Sequence, residues 1–67
     1  MKDNIYIKHY DEVRSFEGDM GVQMDAFDAA HGLPYDALAR AEYKKWRAEV
    51  TGVPELLSAE DKALLGI

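Results

Sequence analysis

The sequence contains no cysteine, only two prolines and no long run of apolar residues. Without cysteine it has no disulfide framework, and the thiolate ligands typical of structural zinc sites are missing. Met1 to Asn4 leads into a short apolar patch that Lys8 and His9 interrupt, a pattern that predicts neither a signal peptide nor a membrane-spanning segment. We therefore expect a cytoplasmic protein without a membrane partner.

The sequence also has little positive charge. It contains 13 acidic and 8 basic side chains, so its net charge is −5. Such a chain repels nucleic acid unless its basic side chains gather on one face. A hydrophobic content of 48% is too high for a disordered chain of this charge. Residues 1–67 predict a single small domain, whose core contributes only about 3–5 kcal/mol. A protein partner or homo-oligomerisation is therefore expected.

Groups able to perform catalysis are few. His31 follows Asp28 by three residues and His9 precedes Asp11 by two, pairs that arise by chance in a sequence of this composition. No phosphate-binding glycine loop, calcium loop or zinc-ligand spacing is present. The sequence predicts no catalytic residue, no metal ligand, no cofactor and no enzymatic activity.

The N-terminal third carries the weakest pattern. Ile5 and Ile7 alternate with Tyr6, Lys8 and Tyr10, the period of a half-buried strand. No pairing strand follows, because the next segment has helical charge content and ends in the turn-like sequence 17–21. Residues 1–19 are therefore predicted to form a short strand or an extended arm.

The remainder predicts a mainly α fold with a central helical hairpin over residues 20–51 and a short helix within 52–67. The first hairpin helix, 20–31, shows apolar residues at spacings of four and three, with Asp19 as N-cap and Gly32 as C-terminal glycine. The second begins at Pro34 and runs to about Val50, before Gly52. Ser58 is the expected N-cap of the last helix. That helix is expected to bury Ala63, Leu64 or Leu65 with help from Leu56 and Leu57.

Residues 24–43 resemble the helix-turn-helix of phage and bacterial regulators and of small terminase subunits. The positions that carry the resemblance are the turn glycine and the apolar residues around it: Phe27, Gly32, Leu33, Leu38 and Ala41. Asp28 departs from the pattern, because the family usually has a small residue where the helices touch. The resemblance implies two steeply crossed helices, the second of which enters the DNA major groove.

Acidic and tyrosine side chains predict a different function, that of a non-catalytic accessory or inhibitory module of phage or mobile-element origin. Tyrosine buries a large area at low entropic cost while keeping a polar group, and carboxylates can mimic nucleic acid for a basic groove. The residues predicted to bind the partner are Tyr6, Tyr10, Asp11, Glu12, Glu17, Asp19, Tyr35 and Tyr43.

The alternative is sequence-specific DNA binding by residues 34–47. The side chains that would approach the duplex are Tyr35, Arg40, Lys44, Lys45 and Arg47. Acidic residues reduce the positive charge of this patch, because Glu42 and Glu49 lie near the cations on the same predicted helix.

Overall fold

The computed structural model describes residues 4–67, which form five α-helices and one turn of 3₁₀-helix and contain no strand. The helices are α1 (Ile5–Lys8), α2 (Tyr10–Ser15), α3 (Met20–His31), α4 (Ala37–Thr51) and α5 (Ala59–Leu65), and the 3₁₀ turn is Pro54–Leu56. α1 and α5 pack against α4, and α2 packs against α3. The protein is therefore mainly α.

The predicted N-terminal strand is wrong, because Asn4 begins a helix. Its side-chain oxygen accepts hydrogen bonds from the backbone amides of Tyr6 and Ile7, and its amide nitrogen donates to the Ala39 carbonyl of α4 at 2.7 Å. These hydrogen bonds satisfy two backbone amides that, in a strand, would bond a neighbouring strand. Most of residues 4–15 therefore lie in α1 and α2, whereas the part of the predicted arm at residues 1–3 lies outside the described residues.

The first hairpin helix is confirmed at both ends. Asp19 accepts a hydrogen bond from the amide of Val22, and Gly32 adopts the left-handed conformation that ends α3. Met24 and Phe27 are fully buried on the predicted face. With Tyr6, Val13 and Tyr43 they form the core of the protein.

The second hairpin helix starts later than predicted. Leu33 to Asp36 are outside any helix, and Asp36 caps α4, with its carboxylate accepting from the Ala39 amide at 3.0 Å. Aspartate is among the strongest N-cap residues, so the helix begins directly after it rather than at Pro34. Leu38 is consequently exposed, although the helix-turn-helix pattern places it between the two helices.

The C-terminal helix has the predicted cap but a different buried residue. Ser58 and Asp61 form a capping box, in which each side chain bonds the other's backbone amide. Asp61 is buried, Leu65 is half-buried as are Leu56 and Leu57, and Ala63 and Leu64 are exposed. α5 therefore attaches to α4 partly through the carboxylate of Asp61.

We predict that α5 loosens in acid. Burial opposes ionisation of Asp61, but hydrogen bonds from Ser58 and the nearby Lys44 ammonium hold its pKa below the ordinary 3.8. Because the pKa of Asp61 is lower in the folded protein than in the unfolded chain, the ionised carboxylate stabilises the fold. This stabilisation is complete above pH 3.8 and is lost as the pH falls through the pKa of Asp61 in the folded protein. Asp61→Asn should remove this pH dependence at a cost of about 1 kcal/mol, the usual size of a capping interaction.

Protection factors of the α5 amides, measured by hydrogen exchange from neutral pH to well below pH 3.8, check this prediction. Glu60→Gln is the matched control, because Glu60 is exposed in the same helical turn and should keep the acid-induced loss of protection. The same pH dependence in Asp61→Asn and in the unmodified protein would contradict the role given to Asp61.

Candidate functional site

Tyr6 lies at the centre of a buried polar network rather than on a binding surface. Its hydroxyl donates to Asp28 at 2.7 Å, and the other oxygen of Asp28 accepts from Arg40 at 2.7 Å. Burial, together with the adjacent Asp28 carboxylate, raises the pKa of the Tyr6 phenol to about 12, against the opposing effect of Arg40. Tyr6 is 1% exposed, so its assignment to the partner-binding surface is wrong.

Tyr43 is also a core residue, with 0% of its surface exposed. Its ring lies 6.0 Å from that of Tyr6, and its hydroxyl accepts a hydrogen bond from Arg47 at 2.9 Å. Tyr43 lies on the side of α4 that packs against α1, and the hydrogen bond from Arg47 satisfies its buried hydroxyl. Its predicted role in partner binding is therefore corrected as well.

The other two predicted tyrosines reach the surface. Tyr35 is 72% exposed in the segment between α3 and α4, and the guanidinium of Arg40 lies 4.5 Å from the centre of its ring. Tyr10 is half-buried on α2, where its ring meets that of Trp46 edge to face at 5.1 Å. Of the four tyrosines, only Tyr10 and Tyr35 can therefore offer aromatic area to a partner.

The predicted acidic residues lie together on α2 and in the turn that follows it. Asp11, Glu17 and Asp19 are exposed, although Asp19 also caps α3. Glu12 is half-buried, and its carboxylate lies 2.6 Å from the ring nitrogen Nε2 of His31. We call Asp11, Glu12, Glu17 and Asp19 the α2 acidic surface.

The cations assigned to DNA binding are engaged within the protein. Arg40, with 11% of its side chain exposed, contacts Asp25 and Asp28, each at 2.7 Å. Lys44 lies 3.6 Å from Asp61. The remaining two are bound within α4, Lys45 to Glu49 at 3.0 Å and Arg47 to the Tyr43 hydroxyl. Three of the four cations are thus paired with carboxylates, whereas Arg47 donates to a neutral hydroxyl.

One contact differs from the pair that sequence spacing suggested. His31 contacts Glu12 of α2 instead of Asp28. The position of Asp28 was the missed signal, because it follows the buried Met24 by four residues and so shares its helical face. An acidic residue on a buried face requires a buried donor, which the structure supplies from Tyr6 and Arg40.

Among residues 4–67, no group of three or more histidine or acidic side chains is arranged to hold a metal ion. Within the same range, no helix is both long and apolar enough to cross a membrane.

Comparisons with protein-family models, with curated proteins and with solved structures give no match. Any functional conclusion therefore depends on the charges and exposed side chains of this chain alone.

Proposed function

We propose that the protein is a non-catalytic accessory or inhibitory module that binds a protein partner through the α2 acidic surface. The observation that supports this is the unequal use of the two charge signs. The cations of α4 contact neighbouring side chains, whereas Asp11 and Glu17 are exposed. Residues 10–19 carry four acidic side chains and one basic side chain, the exposed Arg14, so α2 and the turn that follows it present net negative charge to a partner.

The expected partner is a protein with a basic surface, such as a nucleic-acid-binding groove. Opposite potentials accelerate encounter and orient the two molecules, and their effect weakens as salt screens the charges. Tyr10, on the same helix as Asp11, adds aromatic area beside the carboxylates. Small size and acidity are typical of inhibitors encoded by phages or mobile elements, and we place the protein among these, acting in the cytoplasm.

Quantitative capture from the native host tests the proposal. The tagged protein should retain a stoichiometric partner that salt elutes, and Asp11→Asn with Glu17→Gln should weaken its retention up to about tenfold, since two exposed ion pairs contribute about 1 kcal/mol or slightly more. Glu55→Gln with Glu60→Gln removes the same charge from exposed residues near α5 and should leave retention unchanged. Equal losses in both variants, or retention of no partner, would refute the α2 acidic surface as a binding site.

DNA binding through Tyr35, Arg40, Lys44, Lys45 and Arg47 is the competing proposal, and the same protein preparation can decide between the two. A labelled duplex titrated at low salt should give no saturable binding if the cations remain in their internal pairs. Saturable binding whose affinity falls with rising salt, and which Lys44→Gln with Lys45→Gln weakens, would instead favour the helix-turn-helix function.

A further inference from the structure

The three arginines of the chain differ in their counter-ions. Arg40 is neutralised by two carboxylates, because Asp25 and Asp28 each lie 2.7 Å from its guanidinium. Arg14 and Arg47 form no ion pair with any carboxylate among residues 4–67. In a protein of net charge −5, two arginines without a counter-ion are an exception that the α2 acidic surface does not use.

Both of these guanidiniums lie against the ring of Tyr10. That of Arg14 is 5.4 Å from the centre of the ring, and that of Arg47 is 5.1 Å from it. Arg14 follows Tyr10 by one turn of α2, whereas Arg47 reaches the same ring from α4. The contact between the two helices therefore brings two positive charges to one tyrosine.

Tyrosine hydroxyls are the hydrogen-bond acceptors of both arginines. Arg14 donates to the Tyr10 hydroxyl at 3.3 Å, and Arg47 donates to the Tyr43 hydroxyl at 2.9 Å. Each bond uses one nitrogen, and a guanidinium has further N–H donors that a ligand can accept from. Because a phenol is neutral near pH 7, these bonds orient the two cations without neutralising them.

Arg47 is half-buried, which strengthens its attraction for an anion. Its guanidinium also lies 5.8 Å from the centre of the Tyr43 ring, and its Nε atom is buried without a hydrogen-bond partner among the described residues. α4 offers it no carboxylate one turn earlier, at residues 43 and 44, or one turn later, at residues 50 and 51. A partly desolvated cation attracts an anion more strongly than a cation in water does.

Arg14 is exposed and bonds Tyr10 although carboxylates lie near it in sequence. Asp11 lies one turn before it and Glu17 one turn after it, and neither forms an ion pair with it. These two carboxylates repel an anion that approaches Arg14. We therefore expect an affinity in the millimolar range rather than a tight site.

Two guanidiniums suit an oxyanion, because each planar fork can donate two parallel hydrogen bonds to its oxygens. A phosphate group carries up to two negative charges, so it matches two arginines better than a carboxylate does. The net charge of −5 repels a polyanion, so a single phosphate group fits better than a nucleic acid. We propose that Arg14 and Arg47, oriented by Tyr10 and Tyr43, form a binding site for a phosphate group.

NMR titration with inorganic phosphate at constant ionic strength tests this site. The Nε–H signals of Arg14 and Arg47 should shift and saturate, whereas that of Arg40 should not move because two carboxylates already bind it. Acetate over the same range should shift the two signals less. Glycerol phosphate is the second arm, in which tighter binding shows that the phosphate arrives on a larger molecule and equal binding that the free ion is sufficient.

Arg14→Gln should weaken phosphate binding, followed at Arg47, by about tenfold, the effect of losing a charge-assisted hydrogen bond. Lys62→Gln is the matched control, because Lys62 is exposed on α5 and should leave phosphate binding unchanged. Signals that never saturate, a stronger response to acetate, or equal losses in the two variants would overturn the proposal.

The carboxylates beside Arg14 separate this site from the α2 acidic surface. Asp11→Asn with Glu17→Gln should tighten phosphate binding by removing repulsion, although the same variant is expected to weaken retention of a protein partner. Phosphate binding needs no protein partner and is measured on the isolated chain. Either proposal can therefore fail without the other.

Discussion

Asp28→Ala is expected to destabilise the protein by about 3–5 kcal/mol, the loss typical of removing one partner from a buried ion pair. The Tyr6 hydroxyl and the Arg40 guanidinium would remain in the interior after losing their shared acceptor. A core of this size contributes only about 3–5 kcal/mol in total. Most of the helical circular dichroism signal should therefore disappear at room temperature.

Asp25→Ala is the control, because it removes a carboxylate from the same guanidinium at the same distance of 2.7 Å. The side chain of Asp25 is 67% exposed and that of Asp28 only 8%. An exposed pair contributes at most about 1 kcal/mol. Circular dichroism at room temperature, with urea denaturation of any variant that keeps a cooperative transition, compares the two losses, and equal losses would show that burial of Asp28 is not what makes it important.

The double variant Asp28→Ala with Arg40→Met separates the pair from the charge it would leave behind. A buried ion pair replaced by apolar side chains is often close to neutral in stability, whereas a lone buried charge is costly. We therefore expect Arg40→Met to recover part of the stability lost in Asp28→Ala. A further loss in the double variant would contradict this explanation.

Phe27→Ala is expected to cost about 3–5 kcal/mol through lost burial and the cavity left behind. Phe27 is fully buried, and its ring packs edge to face with that of Tyr6 at 5.7 Å and lies 4.3 Å from the imidazole of His31. For a domain of this size, 1 kcal/mol changes the melting temperature by about 4–8 °C. Thermal denaturation should show either a melting point lowered by more than about 10 °C or no cooperative transition.

Val22→Ala is the matched control on the same helix, because Val22 is 50% exposed. Its effect should stay within about 0.5 kcal/mol, the usual range for a surface substitution. Similar melting points for Phe27→Ala and Val22→Ala would mean that α3 does not bury the face described above.

The central helices could be predicted because each is specified locally. Met24 and Phe27 repeat with the helical period. Asp19 begins the helix by accepting a hydrogen bond from a backbone amide, and Gly32 ends it in the left-handed conformation. These effects act within a few residues along the chain. The start of α5 is also specified locally, because Ser58 and Asp61 form a capping box and lie three residues apart in the sequence.

The N-terminal segment could not be predicted as reliably, because two periods coexist in it. Ile5 and Ile7 alternate like a strand, whereas Tyr6, Tyr10 and Val13 recur at the helical spacings of four and three. The contact that favours the helix is distant in sequence, since the side chain of Asn4 bonds the backbone of Ala39. A local pattern carries no information about such a partner.

The predicted surface was partly wrong for the same reason. Tyr6 was assigned to the surface, but Asp28 gives its hydroxyl a buried acceptor. The sequence predicts Arg40 as a cation available to DNA, but Asp25 and Asp28 of the preceding helix bind it. Burial of a polar side chain depends on its bonding partner, and that partner is determined by tertiary packing.

The contact between Tyr10 and Trp46 gives this protein an internal optical reporter. Trp46 is the only indole in the sequence, and it joins α4 to α2 at a ring distance of 5.1 Å. Trp46 is half-buried where the Tyr10 ring meets it, so detachment of α2 would expose more of the indole to water and shift its emission to longer wavelength. Detachment of α2 would thus be visible without any attached dye.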